Sequence, residues 1–219
     1  MLRLTKLAAA IVATTVSASA LMAPSIASAE VSANVGVSNM YLWRGQNLCQ
    51  SGGVVSGGLD YGHESGTYAG IWTTSETDGH ETDLYLGFGG EAGAVSYDVS
   101  YWHYLYPEDG ELAESDLSEL VVSVGAGPVT ATAYASVDSE FAGADDDWVY
   151  FTLAAEQGAF GVTYGQWTGL DANNYSHVTA SFAATDEVSF SISMAQEDDV
   201  EMDEDPLFAV SYTKSFDVK

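Results

Sequence analysis

Hydrophobic and polar positions alternate one by one through most of the chain. In "AVSYDVSYWHY", residues 94–104, Val95, Tyr97, Val99 and Tyr101 fall on one side and Ser96, Asp98 and Ser100 on the other, the period of two that a pleated strand imposes. "EVSFSISMA" repeats the split, with Val188, Phe190, Ile192 and Met194 opposite Ser189, Ser191 and Ser193. In "AFGVTYGQW", Phe160, Val162 and Tyr164 stand opposite Gly161, Thr163 and Gly165. No stretch after residue 30 shows a comparable helical period, and none approaches the run of about eighteen apolar residues that a membrane helix requires.

Turn signals divide the chain into twelve expected strands, near 31–44, 52–64, 66–75, 82–90, 93–105, 116–125, 128–138, 147–157, 159–167, 174–184, 187–195 and 206–216. Most are about the 9–11 residues that a tilted strand needs to cross a bilayer. The connections alternate as well. Short turns such as "ESG", "GEAG", "GAGP", "QGA" and "TDE" are interleaved with the longer "GQNLCQSG", "ETDGHE", "YPEDGELAES", "SEFAGADDD", "TGLDANN" and "QEDDVEMDED". Short turns at one end and long loops at the other are the asymmetry of a transmembrane barrel.

Most of the charge lies in the long loops, while the strand faces named as apolar carry none. Lipid contact demands that separation, because a charge on the lipid face of a barrel costs about 2–4 kcal/mol at the midplane. The expected fold is therefore all-β, a single antiparallel transmembrane β-barrel of about 12 strands. A soluble two-sheet sandwich is the competing arrangement. Small residues on the apolar faces, such as Ala131, Ala133 and Ala135, favour the barrel. So do Tyr41, Trp43, Tyr104, Tyr106, Trp148, Tyr150, Trp167 and Tyr175, which fall near strand ends and are expected to form interfacial girdles.

The N-terminus adds a compartment. Arg3 and Lys6 precede the apolar run "LAAAIVATTVSASALMA", and "IASAE" supplies small residues for cleavage after Ala29. Residues 1–29 are read as a secretory signal and 30–219 as one barrel domain of the outer membrane. Beyond the signal, Arg44, Lys214 and Lys219 stand against 32 acids, a field that repels nucleic acid. The 13 Tyr, 8 Phe and 5 Trp exclude the composition of a disordered acidic chain. Cys49 is a single cysteine and forms no disulfide within the chain.

Residues 32–75, "SANVGVSNMYLWRGQNLCQSGGVVSGGLDYGHESGTYAGIWTTS", contain "YLWRG", then "GGLDY" at Gly57–Tyr61 and "GTYAGIW" at Gly66–Trp72. This segment resembles the N-terminal signature of the TorF-family porins, small proteobacterial outer-membrane proteins, and "SYTKSF" at 211–216 resembles the closing strand of that family. Between these segments the likeness rests on pattern and length. The resemblance implies a transmembrane barrel acting as a pore.

Strand parity groups Arg44 with Ser32, Asn34, Gly36 and Ser38, the polar face, so its guanidinium is expected in the lumen. The candidate pore-lining residues are Arg44, Asp60, Asp83 and Asp98, the three carboxylates being possible partners of the arginine. Two roles stand open for Arg44: a strut tying the first strand to the wall, or a constriction that narrows the pore or meets a solute. No cofactor is expected. Neither "EDDVEMDEDP" nor "AGADDDW" has EF-hand spacing, so divalent cations would associate with the acidic loops only loosely, with no built metal site.

Catalysis is not expected. His177 follows Ser176, but adjacent strand residues face opposite ways, and neither a Gly-x-Ser-x-Gly elbow nor an HExxH helix occurs. The expected partners are outer-membrane lipid and small solutes or cations. The expected function is passive, cation-preferring diffusion through a small pore. The alternatives are a non-conducting barrel that works as a surface scaffold or adhesin through its acidic loops, and a soluble periplasmic binding sandwich.

Overall fold

The structure is a computed structural model that describes residues 30–50, 52–77, 79–106, 117–139, 148–169, 174–197 and 205–218. The expected export signal and most of the acidic long-loop residues lie outside the described residues. Every element among those described is a strand: β1 (Glu30–Ser38), β2 (Leu42–Trp43), β3 (Gln46–Asn47), β4 (Val54–Gly62), β5 (Thr67–Ser75), β6 (His80–Ala92), β7 (Val95–Leu105), β8 (Leu117–Ala126), β9 (Val129–Ser139), β10 (Val149–Gln157), β11 (Phe160–Thr168), β12 (Tyr175–Ala183), β13 (Val188–Glu197) and β14 (Leu207–Val218).

All but β2 and β3 form one closed antiparallel barrel of twelve strands. It closes where β1 pairs with both β4 and β14, in registers that run from Val31↔Val218 to Ser38↔Ser211 on one side and from Glu30↔Gly62 to Ser38↔Val54 on the other. Closure leaves no free edge, so the backbone groups of every wall strand find partners within the wall. Successive strands meet at one end through tight turns. Gly127 and Gly158 adopt φ of 59° and 62° there, a left-handed conformation that glycine enters without a Cβ penalty.

The pleat sends the apolar residues outward. Val55 is 64% exposed, Leu86 60% and Phe160 66%, and the same face carries Val35, Leu59, Val99, Val122, Leu153, Val178 and Val210. A sandwich would have buried this face against a second sheet. Here it forms the continuous apolar exterior that lipid contact requires.

The large aromatics near the long-loop end do not form the expected girdle. Tyr41, Trp43, Tyr104, Trp148, Tyr150, Trp167 and Tyr175 are buried inside the barrel, and Tyr106 packs against them. Position along the strand suggests the membrane interface, but parity decides the side. On β7, Trp102 and Tyr104 share the inward face with Asp98 and Ser100, opposite the exposed Tyr97, Val99 and Tyr101. Exposed aromatics do gather at the other end. Tyr61, Phe88, Tyr97, Phe160, Phe182 and Phe190 lie near the tight turns, with ring centroids 5.0 Å apart for Phe160 and Phe182 and 6.1 Å for Phe88 and Tyr97.

The first expected strand, 31–44, is also shorter than its pattern suggested. β1 stops at Ser38 because Asn39 takes over the pairing with β14. Its side-chain Oδ1 accepts from the Val210 amide at 2.7 Å, and its Nδ2 donates to the Phe208 carbonyl at 2.9 Å. The chain then leaves the wall and enters the lumen.

Leu86 sits at the middle of β6 on the outer face, so Leu86→Arg is expected to destabilise the barrel by about 2–4 kcal/mol, and Leu86→Ala by much less. Denaturant unfolding of protein folded into lipid vesicles measures both. A cost for the arginine no larger than that for the alanine would contradict a lipid-facing outer wall.

Candidate functional site

The segment "YLWRGQN" folds into a two-strand hairpin inside the barrel. Leu42 pairs with Asn47 and Trp43 with Gln46, and the Leu48 amide closes the base on the Tyr41 carbonyl at 2.8 Å. The two turn residues, Arg44 and Gly45, have φ of 47° and 86°. Positive φ at both central positions is the signature of a type I′ turn, in which Asn-Gly is the usual pair. Arg44 is the one non-glycine residue with positive φ among those described, a conformation that costs about 1–2 kcal/mol for an L-residue. A Cβ on Gly45 would meet the His177 side chain at 2.6 Å, so glycine serves both the backbone angle and the close approach.

The strained turn delivers the guanidinium to the barrel interior, where Arg44 is 2% exposed. Its Nη2 donates to both oxygens of Glu119 on β8, at 2.7 and 2.6 Å, and Glu119 is itself fully buried. Tyr104 on β7 donates its hydroxyl to Glu119 Oε2 at 2.7 Å. Five rings enclose the cation: Trp43 at 4.4 Å from Cζ to ring centroid, Tyr150 at 4.5 Å, Tyr134 at 4.7 Å, Trp167 at 4.9 Å and Trp148 at 5.7 Å. Tyr175 fixes the backbone beneath by donating to the Arg44 carbonyl at 2.9 Å, while accepting from Trp167 Nε1 at 2.6 Å.

The neighbouring wall adds two further carboxyl groups. Glu81 and Asp83 on β6 are fully buried. Tyr41 of the hairpin stem donates to Glu81 Oε1 at 2.5 Å. Among the described residues, Glu81 Oε2 and both Asp83 oxygens make no hydrogen bond of good geometry, with the Tyr106 hydroxyl and the Glu76 carboxyl beside Glu81. Glu76, in the loop between β5 and β6, is pushed up to about 8 by partial burial and then by the charge of Glu81.

The candidate residues named from the sequence are thus dispersed. Arg44 is inside the barrel, but on a hairpin tip rather than a strand, and its partner is Glu119 rather than Asp60, Asp83 or Asp98. Asp60 on β4 accepts from the Tyr85 hydroxyl and from Asn34 Nδ2, the latter at 3.4 Å. Asp98 on β7 accepts from Tyr68 at 2.9 Å. Tyr68 and Tyr85 lie with ring centroids 6.5 Å apart, and Tyr85 stacks on Trp102 at 4.3 Å. Asp83 faces Trp72 and Tyr104 across its two strand pairings. Glu119 was detectable by parity alone: Leu120, Val122 and Val124 point outward, which places Glu119 inside with Val121 and Ser123. Its apolar neighbours on both faces obscured it.

His177 is buried, and its two ring nitrogens lie 2.6 Å from the Tyr150 hydroxyl and 3.1 Å from Thr179 Oγ1.

A family model described as "Bacterial protein of unknown function (Gcw_chp)" matches residues 23–213. A solved structure described as "Unveiling the Mechanism Behind the in-meso Crystallization of Membrane Proteins" is similar over 86% of this chain and 83% of its own, with a TM-score of 0.57 and 9% identity. At that identity the likeness is one of fold. No curated protein matches the chain.

Two outcomes test the site. Glu119→Gln or Arg44→Ala leaves one buried charge uncompensated and is expected to cost about 3–5 kcal/mol, whereas Arg44→Met combined with Glu119→Leu costs less than either single change. Denaturant midpoints at unchanged slope read this out, and independent, additive effects would contradict a coupled pair. The second outcome concerns pH. Glu76 ionises near its ordinary value of 4.5 when unfolded and near 8 when folded, so its contribution is fully present below about 4.5 and is lost as pH rises through about 8. Wild-type stability should fall relative to Glu76→Gln across that window, and parallel pH profiles would contradict the placement of Glu76 beside Glu81.

Proposed function

The chain belongs to the Gcw_chp family of bacterial proteins of unknown function, and from that premise we propose that it is an outer-membrane barrel of the porin type. Residues 1–29 direct its export, and the resemblance of "YLWRG", "GGLDY" and "GTYAGIW" to the TorF porins fits the same reading. The barrel conducts small solutes passively, with no catalytic step. It favours cations, and the β2–β3 hairpin is the plug that must shift for solutes to pass.

One observation carries the proposal. The lumen is wide enough to hold a folded hairpin with Tyr41, Leu42, Trp43 and Arg44 buried in it. A passage that accommodates those side chains accommodates a small hydrated solute once the hairpin moves aside. The selectivity follows from charge. Asp60, Glu81, Asp83, Asp98 and Glu119 face inward and Arg44 pairs with Glu119 alone, which favours a lumen potential that attracts cations and opposes anions.

A second reading has its own support. The Arg44–Glu119 pair and its aromatic surround anchor the plug firmly, which suits a non-conducting barrel that presents its acidic loops as a surface scaffold.

Planar-bilayer recording separates the two. Wild-type protein is expected to open rarely. A variant with residues 41–49 replaced by a Gly/Ser linker is expected to give steady, cation-selective currents, with selectivity read from the reversal potential. A folded linker variant that carries no current would reject the channel reading and favour the scaffold.

A further inference from the structure

The hairpin tip places a side-chain cation in a box that the barrel wall builds almost by itself. Tyr134, Trp148, Tyr150 and Trp167 surround Arg44 from β9 to β11 and the residue preceding β10, and Glu119 supplies the counter-charge. Only Trp43 comes from the hairpin. The arginine reaches this position on a left-handed backbone that glycine would adopt without strain. Its Nη1 finds no acceptor there. On the adjoining wall, Glu81 and Asp83 are fully buried, with three carboxyl oxygens that make no hydrogen bond of good geometry among the described residues. The wall therefore carries more carboxyl groups than Arg44 answers.

We propose that this wall is a receptor for small organic cations bearing a guanidinium or ammonium group, and that Arg44 is a tethered occupant which such a cation displaces. The inference rests on the reading of the hairpin as a movable plug and names the solute class that moves it. Ring faces attract a cation that sheds water readily, and a planar guanidinium satisfies both the rings and a carboxylate. Inorganic ions such as Na⁺ and Mg²⁺ hold their water too tightly to exchange it for ring faces. Entry of the solute releases the strained turn, and the solute's charge takes the place of Arg44 beside Glu119, with Glu81 and Asp83 offering a second contact. The box thereby recognises the cation and unseats the plug in one event.

The probe is Nα-acetyl-L-argininamide, called argininamide below, with the uncharged urea Nα-acetyl-L-citrullinamide, called citrullinamide below, as its control. Folded wild-type barrel, verified by heat-modifiable gel migration, is titrated by calorimetry and by tryptophan fluorescence. Saturable binding of argininamide, absent for citrullinamide, is expected. Arg44→Gly, which empties the box and relieves the turn, should bind about tenfold tighter, and adding Glu119→Gln should remove that gain, tenfold being about 1.4 kcal/mol. Failure of wild type to bind argininamide overturns the proposal, even if the emptied variant binds, because filling an engineered hole is not a native function. Equal binding of citrullinamide overturns it too. Cation-selective currents without argininamide binding would sink the receptor and leave the channel. Charge-dependent binding without currents would support the receptor and sink the channel.

Discussion

A two-residue pleat gives every strand one face on each side of the wall, and the outer side of this barrel is given to aliphatic and aromatic groups. The consequence for the inner side is severe. Carboxylates, hydroxyls and the large rings that share parity with them crowd into a space that twelve strands close completely. Glu81, Asp83 and Glu119 are brought together by this constraint rather than by proximity in the sequence, and they would lie in a low-dielectric interior with no cation if the wall were alone. Supplying a positive charge from outside the wall is the simplest remedy, and a hairpin from the first long loop does so.

The Arg44–Glu119 pair should not be read as a source of stability on its own. Moving two ions out of water costs several kcal/mol each, and their attraction repays that only with good geometry and further hydrogen bonds. Both are present: the Tyr104 hydroxyl on the carboxylate and five ring faces about the guanidinium. Such a pair fixes position more than it adds free energy, because alternative seatings of the hairpin would strand one of the charges. The strained backbone at Arg44 belongs to the same logic. Left-handed residues of this kind persist where the surroundings over-determine them.

Much of the wall was legible in the sequence. The alternation in "AVSYDVSYWHY" and "EVSFSISMA" and the glycine-rich turns located eleven of the strands to within a few residues, because pleat and turn chemistry are local. Three features were not legible, for three different reasons. Asn39 ends β1 through its side chain, and a side chain imitating a peptide group leaves no trace in a hydropathy pattern. Trp148, Tyr150 and Trp167 look like interface residues by their place along the strand, and only their parity puts them inside. The partnership of Arg44 with Glu119 spans 75 positions and depends on how far the hairpin reaches across the lumen, which no local rule encodes.

The hairpin hangs from β1, the strand that also seals the barrel against β14, whereas the contacts of its tip lie on β8 to β12. Its berth does not exist until those strands have curved into a tube, so the tip can settle only late in folding. Contacts this distant along the chain are slow to form, because loop-closure entropy must be overcome before they reward the chain. Seating of Arg44 thus reports that the cylinder is round and correctly registered: a strand slipped by one residue would turn Glu119 to the outside and leave the arginine without a counter-ion. The hairpin is, in this sense, the wall's own inspection of its assembly.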